Sequence, residues 1–563
     1  MKAIIHVVVT IAIVAIAFPI VGAGGQDHVS EQRPTSLDQM ADRIVERERQ
    51  LEELLAKYSP RVETYIQIYR QNRKTGPVTV DDDYFLGRLE VRNGVVEHAF
   101  LPRPEKKGRS LSTVLPLGPI VRLFSFQLEP NVFATPILLD ITRFNREHYQ
   151  FRFVRREFLG EVRCLVFDLW PRADAGEGGL FQGRIWVEDQ DDYIVRFNGS
   201  FGAQSRFTYH FDSWRQNLQP RLWLPVYIYS EESSLIDSGR PDLGFKAQTR
   251  LWGYELKDTS REEELTRILV EAPPQAPAPV QDGSEAAPDT SPRASERAWQ
   301  LEAEANILER LEQARLLAPV GAVDKVLEVV VNNLIATNGL DNLPPIHCRV
   351  LLTYPLESLP IGNTILVSRG LIDVLPDEAS LALVLAHELS HVILGHPVDT
   401  KYAFYDRMAT PDENLLRSFD LTRTKDDEAA ADVKALELLK NSPYKDKLGN
   451  AGLFLRALAD EAPHIPRLLG AHLGNRMIER LHQVSLSELM ASAPKLEWDR
   501  LDQIAALPLG ARIKIDPWND RVELLKPKPV ALISPREKMP FKVTPMIPFL
   551  TRFSGSATEE AHR

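Results

Sequence analysis

The sequence has very little cysteine: only Cys164 and Cys348 occur among its 563 residues. Two thiols so far apart cannot supply the dense set of disulfides that stabilises small secreted proteins, so a disulfide framework is excluded. An isolated thiol is more often a small hydrophobic core residue than a metal ligand. We therefore expect both cysteines to be buried.

A concentrated basic segment is also missing. The net charge is −11, and acidic and basic residues are spread along the whole chain. Proteins that bind nucleic acids usually carry lysine and arginine clustered on one face. The sequence therefore argues against a nucleic-acid partner.

Long apolar runs are limited to one, at residues 3–20. It follows Lys2 and ends in Val-Gly-Ala (residues 21–23). A positive start, an apolar centre and an exit of small residues are typical of an export signal, which predicts a signal peptide over residues 1–25. The run is also long enough for an uncleaved membrane anchor. The protein is therefore expected in the periplasm or cell envelope, either free or tethered to the inner membrane.

The length of the chain exceeds what one hydrophobic core holds, so two or three domains are expected. Apolar residues at helical spacing predict an amphipathic helix over residues 35–58, and period-two alternation predicts an antiparallel β domain over residues 60–258. Residues 271–293 are rich in Pro and Ala, which predicts a disordered linker. A mainly helical domain with a small sheet is predicted over residues 294–510, before an irregular Pro-rich tail over residues 511–563. The expected fold class is α+β and multidomain.

One short motif carries the chemistry: His387-Glu-Leu-Ser-His391, inside the apolar segment of residues 371–397. Asp377 is a suitable helix start, and Gly395 a suitable helix end. On a helix the two histidines point within about 40° of one another, one turn apart. Both imidazoles can therefore bind one zinc ion from the same face.

Glu388 lies between the two histidines and is placed to accept a proton from the attacking water. The alternative is a buried helix whose polar side chains are satisfied by protein neighbours. Three ionisable side chains in such an apolar helix are costly without a metal ion or partners. This cost favours the metal site, with Glu388 as general base.

A catalytic zinc site needs a third protein ligand. His396 lies about 140° round the helix from His391 and is predicted to face elsewhere. The better candidate is Glu428 in the alanine-rich residues 426–435, with Asp432 one turn later on the same face. We expect Glu428 to bind the metal and Asp432 to accept a hydrogen bond from a ligand histidine. The alternative is an acidic helix start that the helix dipole stabilises.

The HELSH motif followed by EAAAD resembles the zinc peptidases of metallopeptidase family 48, which includes the HtpX, Oma-type and CaaX prenyl peptidases. Residues 360–371 are similar to the family's strand and turn ahead of the metal helix. The resemblance covers residues 294–483 and implies a gluzincin domain of zincin type with one Zn²⁺ per chain. In the family this strand pairs with extended substrate, which implies a substrate-binding role for Asn363, Thr364 and Ile365.

Residues 471–480 are similar to the family's downstream His-Pro segment, which ends in Arg at the rim of the active site. His472 matches the histidine, Leu473 replaces the proline, and Arg476 or Arg480 matches the arginine. The resemblance implies a role for His472 and Arg476 at the rim or in stabilising an oxyanion.

The β domain looks like the LolA-type lipoprotein-sorting fold, on the strands predicted at residues 183–189 and 194–197. That fold is a curved antiparallel sheet that holds helices in its concavity and binds acyl chains. The resemblance implies contact with lipids or lipoproteins. The alternative is a β domain whose aromatic residues simply form its core.

Together these features predict a zinc metalloendopeptidase that hydrolyses peptide bonds in cell-envelope proteins, in quality control or processing. Its expected substrates are unfolded or misassembled polypeptides. The alternative is a non-proteolytic envelope chaperone, or a lipid- or lipoprotein-binding protein that uses the β domain. Glu388 favours the enzyme, because zinc binding alone does not need it.

Overall fold

The computed structural model describes most of the chain, in residues 36–72, 76–91, 95–99, 130–139, 143–173, 175, 179–202, 209–233, 242–254, 291–398, 403, 419, 421–470, 473 and 484–553. The predicted signal peptide and most of the predicted linker lie outside these residues. Within them, no helix is both long and apolar enough to cross a lipid bilayer.

The strands described in the N-terminal half form one antiparallel sheet of ten, and an antiparallel sheet is what the sequence predicts. Its strands are β1 (Arg61–Asn72), β2 (Gly76–Val91), β3 (Val95–Ala99), β4 (Tyr149–Leu159), β5 (Val162–Pro171), β6 (Phe181–Glu188), β7 (Ile194–Phe201), β8 (His210–Gln219), β9 (Leu222–Glu232) and β10 (Leu243–Trp252). Strands β4 to β10 form a meander, and β1 pairs with β10, so that the order is β3-β2-β1-β10-β9-β8-β7-β6-β5-β4.

One face of this sheet packs against helix α1 (Leu37–Leu55) and the short helix α2 (Pro130–Ala134). Helix α1 begins at Ser36, whose side chain accepts a hydrogen bond from the Gln39 N–H. A buried ion pair ties the helix to the sheet: Glu48 accepts from both terminal nitrogens of Arg215, at 2.6 and 2.7 Å. Such a two-point pair fixes the orientation of α1 on the sheet.

The C-terminal half is mainly helical. Its helices are α3 (Pro292–Gln313), α4 (Ala322–Thr337), α5 (Arg369–Val374), α6 (Glu378–Leu394), α7 (Lys425–Lys440), α8 (Leu448–Glu461) and α9 (Val484–Ser492). The small sheet has the order β11-β13-β12, from β11 (His347–Leu351), β12 (Ser358–Ile361) and β13 (Thr364–Ser368). The predicted α+β class therefore agrees with the observed elements.

The segment after residue 510 is largely irregular and contains the small hairpin β14 (Ile513–Ile515) and β15 (Val522–Leu524). Its last part packs on the N-terminal sheet. Gln67 on β1 donates to the carbonyl of Phe541 at 2.7 Å and accepts from the N–H of Val543 at 2.8 Å. Arg552 donates to Glu188 on β6 at 2.8 Å. The chain end thus connects the helical half with the sheet.

The two halves share one apolar core. A single cluster of buried residues contains Trp214 and Trp252 of the sheet together with Ile307 and Leu311 of α3. Apolar contacts are therefore continuous between the two domains that the sequence predicts on either side of residues 271–293.

A buried carboxylate of the sheet also reaches into the helical half. Glu63 on β1 accepts from the Tyr84 hydroxyl at 2.9 Å and from the Tyr354 N–H at 2.7 Å, and it forms an ion pair with Arg369 of α5. Burial raises the pKa of the Glu63 carboxyl, and the charge of Arg369 opposes that shift. Close packing continues at Gly370, where a Cβ would lie 1.7 Å from the carbonyl oxygen of Tyr354.

Candidate metal centre

Helix α6 places the two histidines of the motif in the interior. Its start is capped by Asp377, whose side chain accepts from the Ser380 N–H, and its end is Gly395 with φ 67°. His387 and His391 are each 1% exposed, and their Nε2 atoms lie 3.0 Å apart. Residues four apart on one helix face therefore converge on one point, as the spacing predicts.

Helix α7 brings Glu428 to the same point. The helix begins after Thr424, whose side chain accepts from the Asp427 N–H. The two carboxylate oxygens of Glu428 lie 3.3 Å from Nε2 of His387 and 3.4 Å from Nε2 of His391. One ligand atom from each of the three buried side chains lies within 4.8 Å of the others.

Hydrogen bonds on the far side of each ring orient the histidines. Nδ1 of His387 lies 2.7 Å from Oδ1 of Asp432, and Nδ1 of His391 lies 2.8 Å from Nδ1 of His396. A carboxylate only accepts, so His387 carries its proton on Nδ1 and keeps the lone pair on Nε2. His396 stays outside the converging group, as expected, but it contacts His391.

The electrostatics favour a neutral His391 ring, which can act as a ligand. Burial lowers the pKa of His391, and the hydrogen bond to Glu428 opposes that shift. Two neutral imidazole nitrogens and one carboxylate oxygen are the donor set of catalytic zinc sites built from two histidines and a glutamate. The chemistry of the three side chains therefore fits a zinc ion.

Glu388, next to His387 on helix α6, is 2% exposed. The hydroxyl of Ser358, the first residue of β12, donates to its Oε1 at 2.6 Å. Ser358 was not among the residues that the sequence singled out. No motif marks it, because it precedes Glu388 by 30 residues and meets it only through the fold.

The predicted substrate strand requires a correction. Thr364 and Ile365 lie in β13, which is hydrogen-bonded on one side to β11 and on the other to β12. The carbonyl of Asn363 accepts from the His347 N–H at 2.9 Å. Because both edges of β13 are paired, an extended substrate cannot add to it; within the described chain, the edge strand nearer to helix α6 is β12.

Arg423 is a second residue that the sequence did not single out. Its Nη2 donates to the carbonyl of Pro360 on β12 at 3.1 Å. Burial lowers the pKa of Arg423, and the charges of Glu388, Glu428 and Asp427 oppose that shift. In the sequence, the one sign that Arg423 belongs to the site is its positive charge five residues before Glu428.

The predicted rim residues His472 and Arg476 lie outside the described residues, as does Arg480. Between them only Leu473 is described, and its carbonyl accepts from the Leu421 N–H at 3.0 Å. Their role at the rim stays a prediction.

Comparison with solved structures gives similarities to the N-terminal sheet at low identity. A LolA superfamily protein from Nitrosomonas europaea is 15% identical with a TM-score of 0.22, over 39% of this chain and 96% of that one. An outer membrane lipoprotein-sorting protein domain from Vibrio parahaemolyticus is 10% identical with a TM-score of 0.22, over 41% and 99%. A DUF1329 family protein from Desulfovibrio piger is 10% identical with a TM-score of 0.21, over 39% and 92%. Scores this low carry no conclusion about activity.

No curated protein sequence matches the chain. A family model does: Peptidase family M48 matches residues 359–410. This segment holds most of β12, all of β13, and helix α6 with His387, Glu388 and His391. The match supports a metallopeptidase in general, and it confirms the predicted resemblance to family 48 over the part of the chain that carries the metal helix.

Proposed function

We propose that this protein is a zinc-dependent metalloendopeptidase in which His387, His391 and Glu428 hold Zn²⁺ and Glu388 is the general base. The observation that carries the proposal is the convergence of three buried donors from two helices, with a carboxylate beside them on the helix that matches the peptidase family. Three such groups within 4.8 Å would be costly in an apolar interior without a cation between them.

The residues of the chain have separate tasks in peptide hydrolysis. A zinc ion in the site would supply Lewis-acid chemistry, which polarises a carbonyl and lowers the pKa of water toward 7. Glu388 accepts a proton from the attacking water at a carboxylate oxygen and passes it to the nitrogen of the leaving amine. Asp432 keeps the proton of His387 on Nδ1, so that Nε2 remains a ligand.

The substrates in this proposal are polypeptides in extended conformation, because only an extended chain can pair with the edge of β12. Unfolded or misassembled proteins of the cell envelope fit this requirement. The apolar run near the N-terminus supports an exported protein, with a membrane tether if the run is not removed. Contact of the N-terminal sheet with lipids or lipoproteins is part of the proposal and rests on the sequence resemblance alone.

Metal analysis and a protease assay test the proposal together. Protein expressed without residues 1–25 is expected to hold about one zinc per chain. It should cleave casein, and a chelator should abolish the cleavage. Glu388→Gln should retain zinc and lose activity by a factor of roughly 10² or more, the usual scale of general acid–base catalysis.

Two results would contradict the proposal. Cleavage by Glu388→Gln at the wild-type rate would mean that another group, or a contaminant, carries the hydrolysis. Absence of cleavage by every form, together with tight binding of unfolded envelope proteins, would favour the chaperone alternative.

A further inference from the structure

In the part of the chain that the structure describes, strand β12 forms a free edge of the small sheet, and its first residue lies between this edge and the proposed general base. Strand β12 packs along helix α6, which carries Glu388. Ser358 opens this strand, and its Oγ lies 2.6 Å from Oε1 of Glu388. Hydrogen bonds from a hydroxyl to a carboxylate at this distance are among the stronger ones in proteins.

The register of β12 shows which of its backbone groups face outward. The Ser368 N–H donates to the carbonyl of Glu357 at 2.8 Å, so the backbone groups of Glu357 face β13. Two residues later, Leu359 lies opposite Leu366 and faces β13 in the same way. In an antiparallel pair the residues in between turn their N–H and C=O groups away from the partner. In β12 these residues are Ser358 and Pro360.

Only one of those two residues offers a complete pair of backbone groups. Pro360 has no N–H, and its carbonyl accepts from Arg423 at 3.1 Å. Within β12, Ser358 is therefore the residue that turns both an N–H and a C=O toward the free edge. The same residue holds Glu388 through its side chain.

We infer that Ser358 is a positioning residue for Glu388 and links substrate docking to the alignment of the general base. Its backbone receives an extended polypeptide at the edge of β12, while its hydroxyl orients the carboxylate that moves the proton. The inference rests on the proposed peptidase function and adds a residue outside the HExxH motif. A substrate strand that fixes Ser358 thereby also restricts Glu388.

Two substitutions of Ser358 test this link in the zinc-loaded protein. Ser358→Ala removes the hydroxyl and leaves the backbone in place, so kcat should fall about 10- to 100-fold, the range for loss of a hydrogen bond to a charged group. KM should stay within about threefold, because the backbone pairing is retained. Ser358→Thr keeps a hydroxyl and should restore most of kcat.

Ser380→Ala is the matched control, because this serine is also on helix α6 but its hydroxyl donates to a carboxylate outside the proposed site, Oδ1 of Asp377, at 2.8 Å. Its kcat and KM should stay near the wild-type values. Zinc content should be unchanged in Ser358→Ala, since none of the three ligands is altered.

A double variant separates positioning from a structural effect. If Ser358 acts through Glu388, then Ser358→Ala should lower the residual kcat of Glu388→Gln by less than about twofold. An active wild type whose Ser358→Ala variant keeps full kcat would overturn the inference, and so would additive losses in the double variant. A wild type that binds zinc and hydrolyses nothing would refute the proposed function instead, and the inference with it.

Discussion

His387 and Asp432 form a buried pair in which Nδ1 and Oδ1 lie 2.7 Å apart. Glu428 is also buried, at 6% exposure, and faces both histidines. In the proposed site Glu428 and Asp432 would have different tasks, although they are one helical turn apart on α7. Glu428 would contact the metal itself, whereas Asp432 would act on it through His387.

Substitution of each carboxylate should therefore affect zinc binding to a different degree. Glu428→Gln replaces a charged ligand by a weak neutral one, so zinc content should fall strongly. Asp432→Asn leaves all three ligands in place and should weaken zinc affinity about 10- to 100-fold. Competition with a chelator measures both, and Glu437→Gln, exposed on the same helix, is the control.

Full zinc content in Glu428→Gln would remove Glu428 from the ligand set. The search would then return to Asp426, Asp427 and His472.

At the scale of elements, strand β2 holds a loop of the helical half through a single side chain. The two oxygens of Asp82 accept from the N–H groups of Arg467 and Leu468 at 2.9 and 2.8 Å. The carbonyl of Leu468 in turn accepts from the Leu356 N–H at 2.8 Å, just ahead of strand β12. The N-terminal sheet is thus connected to the strand that borders the proposed active site.

The pKa of Asp82 gives this contact a pH dependence. Burial raises the pKa to about 7, against the opposing hydrogen bonds from Arg467 and Leu468. An aspartate in the unfolded chain titrates near 3.9. Between these values the folded protein retains a proton that the unfolded chain has lost, so the contribution of Asp82 to stability falls as the pH rises from about 4 to about 7. Above that it stays constant.

Asp82→Asn mimics the protonated side chain and should remove the pH-dependent contribution of Asp82 to stability. We expect the stability difference between wild type and Asp82→Asn to change by at most about 1.4 kcal/mol per pH unit between pH 5 and 7. Thermal unfolding at pH 5, 6, 7 and 8 measures it, with Asp83→Asn as the control from the same strand. A difference that is the same at every pH would show that Asp82 titrates normally in the folded protein.

At the scale of the whole molecule, the two halves are joined by more than a linker. They share an apolar core, the ion pair between Glu63 and Arg369, and the terminal segment that packs on the sheet. The sequence predicts that residues 271–293 are disordered and that the domains are separable. The buried contacts lead us to expect a cleavable linker between halves that do not separate.

Limited proteolysis distinguishes these outcomes. Cleavage should occur first within residues 272–293, and the two fragments should elute together in gel filtration under native conditions. Glu63→Gln leaves Arg369 buried without its charged partner, a change that typically costs about 3–5 kcal/mol. The nicked variant should therefore dissociate at a lower urea concentration than the nicked wild type. Separate elution of the wild-type fragments would mean that the shared core does not hold them together.

The sequence alone was sufficient for the features that depend on local geometry. Residues four apart on a helix share a face, so the convergence of His387 and His391, and the placement of Glu428 and Asp432 on one face of α7, follow from spacing. Alternation of apolar and polar residues likewise predicts strands, because side chains in a strand alternate between its two faces. These patterns are written within a few neighbouring residues and need no knowledge of the rest of the chain.

The edge position of β12 in the small sheet, and the contact of its Ser358 with Glu388, could be read only from the folded chain. Strand order depends on pairing between segments whose patterns look alike, so local periodicity cannot distinguish β12 from β13. The packing of the two halves against each other could not be predicted from the sequence either, because Glu63 contacts Tyr354 and Arg369 across 291 and 306 residues of chain. Contacts at such separations arise from burial of whole surfaces, and no short motif in the sequence encodes them.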